Sequence, residues 1–251
     1  MARAAAVAVS GLSVGYGAGP VLEGVDFEAS PGTTLCVLGP NGGGKTTLFR
    51  ALVGDLRPLT GELNVTGRPA YLAQTERTRL DFPVSALDVA LMGSLANGRW
   101  WLPPRRSERR AALAALARVG LEQEAGTRFG ELSGGQRRRA LLARTLTRDE
   151  AVLLLDEPLG GVDPASASLM TALFDELRSE GRTLLVSTHD VQSARSFDLV
   201  LCLNRRQVAF GEPGRSLDRA VLEATYGSDL VVLEDGIERA VHGITVQHHE
   251  H

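Results

Sequence analysis

The pattern of apolar and polar positions divides the first part of the 251-residue chain into short segments. Residues 5–35 contain brief apolar stretches separated by glycine, serine and proline, which is typical of short β-strands. The segment that follows Lys45 has two leucines on one helical face and stops at Gly54, so a strand, a glycine loop and a helix are predicted in succession. Residues 61–72 resemble another hairpin.

Two further patterns follow. From about 80 to 147, alanine, leucine and arginine dominate, and residues 108–119 and 136–146 have helical spacing, which predicts an inserted helical lobe. Continuous apolar runs then return, separated by helix-like segments such as 165–177. These runs are 152–155, 184–186 and 199–203. Buried parallel strands joined by crossover helices give this pattern. Beyond residue 230, strand-like pieces flank a turn pair, Asp235 and Gly236.

Composition narrows the class of protein. With 43% hydrophobic and 23% charged residues and a net charge of −3, the chain has no overall attraction to polyanions, so nucleic acid is not an expected partner. Cys36 and Cys202 lie in short apolar runs, which predicts buried, reduced thiols. The sequence has no 18-residue apolar run, so we expect any work at a membrane to be done from outside the bilayer.

The first candidate site is a glycine-rich loop between a predicted strand and a predicted helix, with the spacing G-x-x-x-x-G-K-[ST]. Backbone N–H groups of such a loop bind phosphate. Lys45, the chain's single lysine, would reach the β and γ phosphates of ATP, and Thr46 would supply a hydroxyl to Mg²⁺. The candidate nucleotide-binding residues are Gly39, Pro40, Asn41, Gly42, Gly43, Gly44, Lys45, Thr46 and Thr47. The alternative is a chance glycine turn before a helix.

A pair of acidic residues ends the apolar run at 152–155. At the carboxyl edge of a parallel sheet, Asp156 and Glu157 would lie beside the phosphate loop. Asp156 suits the Mg²⁺ shell, and Glu157 suits polarising a water for in-line attack on the γ phosphate. Taken alone, a strand that runs into an acidic turn is commonplace.

A second anion site is predicted where Leu132 precedes a serine, two glycines and a glutamine at the start of a helix. The serine would cap the helix, leaving its N–H groups and glycines to bind an anion. These residues are Ser133, Gly134, Gly135 and Gln136. The alternative is an ordinary serine cap followed by flexible glycines.

With this segment, the sequence resembles the ATP-binding subunits of ABC transporters over roughly residues 8–225. The resemblance implies an α/β fold, a phosphate-loop NTPase with a RecA-like core, a small antiparallel β subdomain and an inserted α-helical subdomain. It implies the cofactors ATP and Mg²⁺. It also implies a head-to-tail homodimer, in which Ser133 to Gln136 of one chain close over the ATP of the other.

Four more positions match the family pattern. Tyr16 resembles the aromatic residue that stacks on adenine, and Gln74 the glutamine that joins the Mg²⁺ and water site to the transmembrane partner. Asp163 resembles the residue in a loop touching the opposite subunit, and His189 the histidine that contacts the γ phosphate. Considered singly, Tyr16 could be a hydrophobic anchor, Gln74 a surface residue and His189 a capping or core histidine.

The resemblance therefore implies a complete hydrolytic site. The implied catalytic residues are Glu157, His189, Lys45 and Gln74, and the implied Mg²⁺ residues are Thr46, Gln74 and Asp156. Gly43, Gly160 and Gly161 depart from the residues usual in the family, but no catalytic group is lost. We expect a core of residues 1–79 and 148–227, a helical subdomain of 80–147, and a C-terminal extension of 228–251.

The cargo is indicated by a more limited resemblance. Residues 81–93, the Trp100 and Trp101 segment and residues 158–164 resemble the zinc and manganese importer branch. An apolar surface near Gln74 would suit a short permease helix. Its residues are Phe82, Val84, Leu87, Val89, Ala90, Leu91 and Met92. The alternative is that they pack the helical lobe.

The chain end has a histidine cluster, which could bind zinc; the alternatives are a solvated tail or a cloning remnant. Its members are His242, His248, His249 and His251. We therefore expect an ATPase at the cytoplasmic face of the membrane that powers zinc or manganese uptake through a permease, with a substrate-binding protein as an indirect partner. The alternatives are another cargo, such as an iron chelate or heme, and a soluble ABC ATPase acting on nucleic acid or the ribosome.

Overall fold

The computed structural model describes residues 5–17, 19–74, 83–97, 102–227, 230–232 and 238–240. The strands, in chain order, are β1 (Val7–Tyr16), β2 (Gly19–Ala29), β3 (Thr34–Leu38), β4 (Thr60–Val65), β5 (Ala70–Leu72), β6 (Val152–Asp156), β7 (Thr183–Thr188), β8 (Leu199–Leu203), β9 (Gln207–Gly211), β10 (Leu230–Val232) and β11 (Glu238–Ala240).

The helices alternate with the strands in the second half of the chain. They are α1 (Lys45–Val53), α2 (Ala86–Leu91), α3 (Arg106–Arg118), α4 (Gly134–Leu146), α5 (Pro164–Ser179), α6 (Val191–Ala194), α7 (Pro213–Ser216) and α8 (Arg219–Tyr226). Short 3-10 segments span Met92–Asn97 and Phe129–Glu131. None of the helices in the described ranges is long and apolar enough to cross a membrane.

The central layer is a six-stranded sheet in the order β5-β6-β7-β3-β8-β9. Its first five strands are parallel and β9 is antiparallel. Helices or a second sheet cover both faces, which explains the continuous apolar runs of β3, β6 and β8. Along β6, Val152 and Leu154 face one core and Leu153 and Leu155 face the other. The predicted α/β fold is confirmed.

The second sheet is antiparallel, in the order β2-β1-β4. Its inward-facing residues and helix α1 pack on one face of the central sheet. Cys36 and Cys202 are both buried and free, as predicted, in a smaller cluster beneath α6 and α8. Strands β10 and β11 pair antiparallel beyond the core, whereas the predicted turn at Asp235 and Gly236 lies outside the described residues.

The predicted hairpin over residues 61–72 is wrong. Strand β4 pairs with β1, where Val65 lies opposite Val7, and β5 pairs with β6, where Ala70 lies opposite Leu153. The two strands therefore belong to different sheets. A local alternation of apolar residues specifies which face of a strand is buried, but it does not specify the partner strand.

Helices α2, α3 and α4 follow β5 and precede β6 along the chain, and they pack against one another. Leu87, Val89 and Leu91 of α2 are buried in their common core, which also includes Leu153 of the central sheet. The prediction of an apolar surface is wrong for these three residues, and the packing alternative holds. Met92 is 40% exposed, and Phe82 lies outside the described residues, as do Asp81, the two tryptophans and the histidine cluster.

Candidate functional site

The glycine loop joins β3 to α1 at the carboxyl edge of the parallel strands. A side chain at Gly39 would place Cβ 2.1 Å from the carbonyl oxygen of Leu203. Gly42 and Gly44 have φ values of 76° and 101°, in the left-handed region that favours glycine. No described side chain caps the N-terminus of α1, so its first N–H groups can bind an anion.

Lys45 lies at the mouth of this loop. Its side chain is only 5% exposed, and Nζ donates to the carbonyl oxygens of Gly39 at 2.7 Å and Pro40 at 3.1 Å. Nζ is also 3.3 Å from Oε1 of Glu157. The loop therefore holds its cation beside the proposed base.

Asp156 is completely buried at the end of β6, and its carboxylate accepts three hydrogen bonds from described residues. The donors are the hydroxyls of Thr46 at 2.7 Å, Ser187 at 2.5 Å and Tyr71 at 3.3 Å. Burial, and then the nearby Asp156 carboxylate, raise the pKa of Tyr71 well above its usual value. Ser187 and Tyr71 belong to the site but were not candidates in the sequence analysis.

One of these two residues had a detectable signal in the sequence. Ser187 lies opposite Asp156 in the register of β6 and β7, so two neighbouring parallel runs both end in polar residues. Tyr71 precedes Gln74 by three residues on a short strand, and no local pattern indicates that its hydroxyl contacts Asp156.

Glu157 is held from several sides. Its backbone has φ of 45°, and its N–H donates to Ser187 Oγ at 2.8 Å. Nε2 of Gln74 donates to its Oε2 at 2.8 Å. The charged form of Glu157 is favoured first by His189, whose Nδ1 is 3.9 Å from Oε1, and then by Lys45. Partial burial raises the pKa of Glu157, but these two neighbours outweigh it and lower the pKa to about 2. The same carboxylate raises the pKa of His189.

The site fits Mg²⁺. Asp156, Thr46 and Gln74 offer oxygen ligands, the kind that Mg²⁺ takes in proteins. Among the described residues, no cluster of three or more His, Cys, Asp and Glu side chains could hold a metal. Magnesium ordinarily takes one or two protein carboxylates and completes its shell with water and phosphate oxygens, so this sparse set beside a phosphate loop suits it.

The second predicted anion site lies where α4 and α5 begin. Ser133 and Gln136 form a reciprocal capping box on α4, with hydrogen bonds of 3.2 and 2.9 Å. Oδ1 of Asp163 caps α5 through the Ser166 N–H at 2.9 Å. A Cβ placed on Gly135 would be 2.4 Å from Oδ2 of Asp163, so the two helix starts are neighbours within one chain.

The phosphate loop and the second predicted anion site do not share the described cavity over the loop. The described part of the cavity over the glycine loop is lined by residues of the loop, β2, Gln74 and Glu157, and by neither Ser133 to Gln136 nor Asp163. Its lining residues are Val21, Pro40, Asn41, Gly42, Gly44, Lys45, Thr46, Thr47, Gln74 and Glu157. Within one chain, the second group therefore lies apart from the phosphate loop.

Three alternatives can be compared with the structure. Tyr16, at the end of β1, is 43% exposed, so it is not a buried hydrophobic anchor; its hydroxyl accepts from Arg50 at 3.3 Å. Gln74 is exposed but bonds to Glu157. His189 is neither a core residue nor the cap of α6, because its side chain is 39% exposed and Asp190 caps that helix.

Comparisons with known proteins extend over nearly the whole chain. The family model described as ABC transporter matches residues 22–160. The zinc transport system ATP-binding protein TroB of Treponema pallidum is 39% identical over 235 residues, which cover 90% of this chain and 88% of that protein. The manganese transport system ATP-binding protein MntA of Synechocystis is 38% identical, with 88% and 90% covered.

Solved structures agree with these matches. A structure described as a metal-chelate type ABC transporter in an inward-facing conformation has a TM-score of 0.83 and 28% sequence identity. The likeness covers 95% of this chain and 97% of that one.

Proposed function

Because the chain belongs to the ABC transporter family, as an ATPase subunit that binds nucleotide, we propose that it powers uptake of zinc or manganese through a separate permease. The identity to the zinc and manganese proteins, which extends over about nine tenths of the chain, carries this proposal. An iron chelate is the second candidate cargo, because the solved metal-chelate transporter is similar in fold at lower identity.

The hydrolytic roles are proposed from the contacts around Glu157. With a pKa of about 2, its carboxylate is charged at neutral pH, so it can accept a hydrogen bond from an attacking water and would take its proton as that water becomes acidic during attack. Gln74 holds one carboxylate oxygen and would orient the same water. Lys45 would bind the β and γ phosphates of ATP, and His189 the γ phosphate.

Thr46 and Asp156, joined by Gln74, would hold Mg²⁺. The bound ion would neutralise charge on the β and γ phosphates during transfer. The hydrogen bonds from Ser187 and Tyr71 fix the Asp156 carboxylate, which supports this assignment because second-layer bonds of this kind orient metal ligands. Tyr16 is proposed to stack on adenine, as its exposure permits.

A head-to-tail homodimer is proposed for the working enzyme. Its support is the separation between the phosphate loop and the anion site at Ser133, Gly134, Gly135 and Gln136. A second chain could supply the latter to the ATP of the first, with Asp163 at the contact. Two composite sites would then open and close with each cycle.

The same proposal covers organisation and location. The mutual packing of α2, α3 and α4 supports a helical subdomain of residues 80–147 beside a core of 1–79 and 148–227, followed by an extension of 228–251. The protein would lie at the cytoplasmic face of the membrane and bind permease subunits, with a substrate-binding protein as an indirect partner.

Replacing the proposed base tests the function directly. In the complex purified with its permease, Glu157→Gln should retain ATP binding but lower kcat by at least about a hundredfold, because the amide cannot accept the proton. Cells lacking the chain should recover zinc or manganese uptake with the wild type and not with this variant. Recovery of neither metal would remove the cargo proposal, and unchanged kcat would remove Glu157 as the base.

A further inference from the structure

The guanidinium of Arg138 lies beneath the candidate site. Arg138 is on α4, five residues after Ser133, and all three of its nitrogens donate to backbone carbonyls. The acceptors are Ala73 at 2.8 Å, Gln74 at 3.2 Å, Asp156 at 2.7 Å, Glu157 at 3.1 Å and Pro158 at 3.3 Å. The planar, forked geometry of arginine allows one side chain to hold five oxygens.

These carbonyls belong to two segments that carry the reacting side chains. One follows β5 and ends in Gln74, and the other ends β6 and contains Glu157. The side chains of Gln74 and Glu157 bond to each other at 2.8 Å, so their alignment depends on the distance between the two backbones. Glu157 also has a left-handed φ of 45°, a conformation that costs about 1–3 kcal/mol and persists only where surrounding contacts hold it.

We infer that Arg138 is a positioning residue for hydrolysis. It joins the two segments and thereby aims the Glu157 carboxylate, and it does so from the helix that begins with Ser133 and Gln136. That helix start is the surface that the proposed dimer sets against the partner's ATP. Arg138 therefore links occupation of one ATP site to the geometry of the base in the other; this inference rests on the proposed function.

Arg138→Lys separates positioning from charge. Lysine keeps the positive charge, but its donors radiate from one atom and cannot reach both segments. The variant should retain its KM for ATP within about twofold, because the glycine loop is not touched, whereas kcat should fall about tenfold to a hundredfold, since misplacement by about 1 Å can cost that much. Arg138→Gln should behave in the same way.

Arg182 offers a matched control, because it contacts the end of β6 opposite to the one that Arg138 contacts. Arg182 donates to the Glu150 carbonyl at 3.0 Å and to the carboxylates of Asp149 and Glu180 at 2.5 and 3.1 Å, just before β6 begins. Arg182→Lys should lower thermal stability about as much as Arg138→Lys does. It should leave kcat unchanged, because Arg182 contacts neither Gln74 nor Glu157 among the described residues.

The experiment measures kcat, KM, equilibrium ATP binding and melting temperature for the transporter complexes of the wild type, both Arg138 variants, Arg182→Lys and Glu157→Gln. A selective loss of kcat in the Arg138 variants with ATP binding intact supports the inference. Unchanged kcat in Arg138→Lys, or equal losses in Arg182→Lys, would overturn it, and so would loss of ATP binding in both Arg138 variants. High turnover by Glu157→Gln would instead overturn the proposed function on which the inference rests.

Discussion

At the scale of single residues, the charged neighbours of Glu157 keep its carboxylate ionised. Its carboxylate faces Lys45 and His189, and both neighbours favour the ionised form. The pKa of His189 is raised chiefly by Glu157 and further by Asp190, and it is lowered by partial burial and Lys45. The pair should therefore exist as carboxylate and imidazolium over part of the pH range.

The sign of this linkage gives a pH prediction. The pKa of Glu157 falls from 4.5 to about 2, so its contribution to stability is present above pH 4.5 and lost toward pH 2. The pKa of His189 is raised above 6.5, so its contribution is present below pH 6.5 and lost as the pH rises through the raised value. The pair stabilises most between these limits.

His189→Gln should accordingly destabilise the chain more at about pH 5.5 than at about pH 9. The difference should be small, about 0.5 kcal/mol, because the His189 side chain is 39% exposed and solvent screens the pair. Urea unfolding at the two pH values measures it. In a Glu157→Gln background the difference should become smaller, since only Asp190 still raises the pKa of His189. An equal effect of His189→Gln at both pH values in the otherwise wild-type chain would contradict the pairing.

Sequence alone predicted the candidate residues that lie close together along the chain. Lys45, Thr46 and the glycines before them lie within nine residues of one another, so their pattern can be recognised in a short window. The contacts of Ser187, Tyr71 and Arg138 connect residues 31, 85 and 65 positions apart, respectively, and only the folded chain brings them together. Long-range side-chain contacts of this kind leave little trace in local periodicity.

At the scale of elements, the starts of α4 and α5 pack so closely that position 135 has no room for a side chain. A Cβ on Gly135 would lie 2.4 Å from Asp163 Oδ2 and 2.8 Å from Ser166 Oγ. Asp163 cannot retreat without weakening its cap on α5, a contact typically worth about 1 kcal/mol. The glycine therefore sets the spacing of the two helix starts.

Gly135→Ala should lower the free energy of unfolding by about 1 kcal/mol, because Asp163 and Ser166 must shift. Thermal or urea unfolding measures the loss. Gly134→Ala is the matched control for stability, since a Cβ there meets no heavy atom of the described chain within 4 Å. Equal stability of the two variants would contradict the packing argument.

The predicted elements differ in how well their surroundings could be inferred. The starts of α3, α4 and α5 lie only one or two residues before the predicted starts. The prediction comes this close because the signals for a helix start, capping residues and apolar spacing, are local. The partners of β4 and β5 were wrong, since strand pairing depends on segments far along the chain. The burial of Leu87 and Val89 followed from neighbouring helices rather than from their own pattern.

At the scale of the whole molecule, the proposal gives each chain two half-sites, and the described cavity over the phosphate loop is not lined by the start of α4. The phosphate loop lies beside Lys45 and Glu157, and the capped start of α4 has Ser133 with an exposed Gly134 and a buried Gly135. A helix N-terminus binds anions through its N–H groups and its dipole. Two chains related head to tail would join each loop to the partner's helix start, so ATP itself would be part of the interface.

The proposed arrangement would make dimerisation depend on nucleotide. Glu157→Gln should be a monomer alone and a dimer with Mg·ATP, because bound ATP is not consumed and continues to join the half-sites. Adding Ser133→Arg should abolish the dimer while ATP binding persists, because Ser133 does not line the described cavity over the loop. Light scattering coupled to size exclusion measures the mass.

A second capping serine separates interface effects from folding effects in that experiment. Ser85 and Asp88 form a capping box on α2 like that of Ser133 and Gln136 on α4, so Ser85→Arg and Ser133→Arg each remove a cap worth about 1 kcal/mol. Of these two serines, only Ser133 belongs to the proposed anion site. Ser85→Arg should therefore dimerise with ATP in the Glu157→Gln background, and loss of the dimer in both variants, or in neither, would contradict the shared-site arrangement.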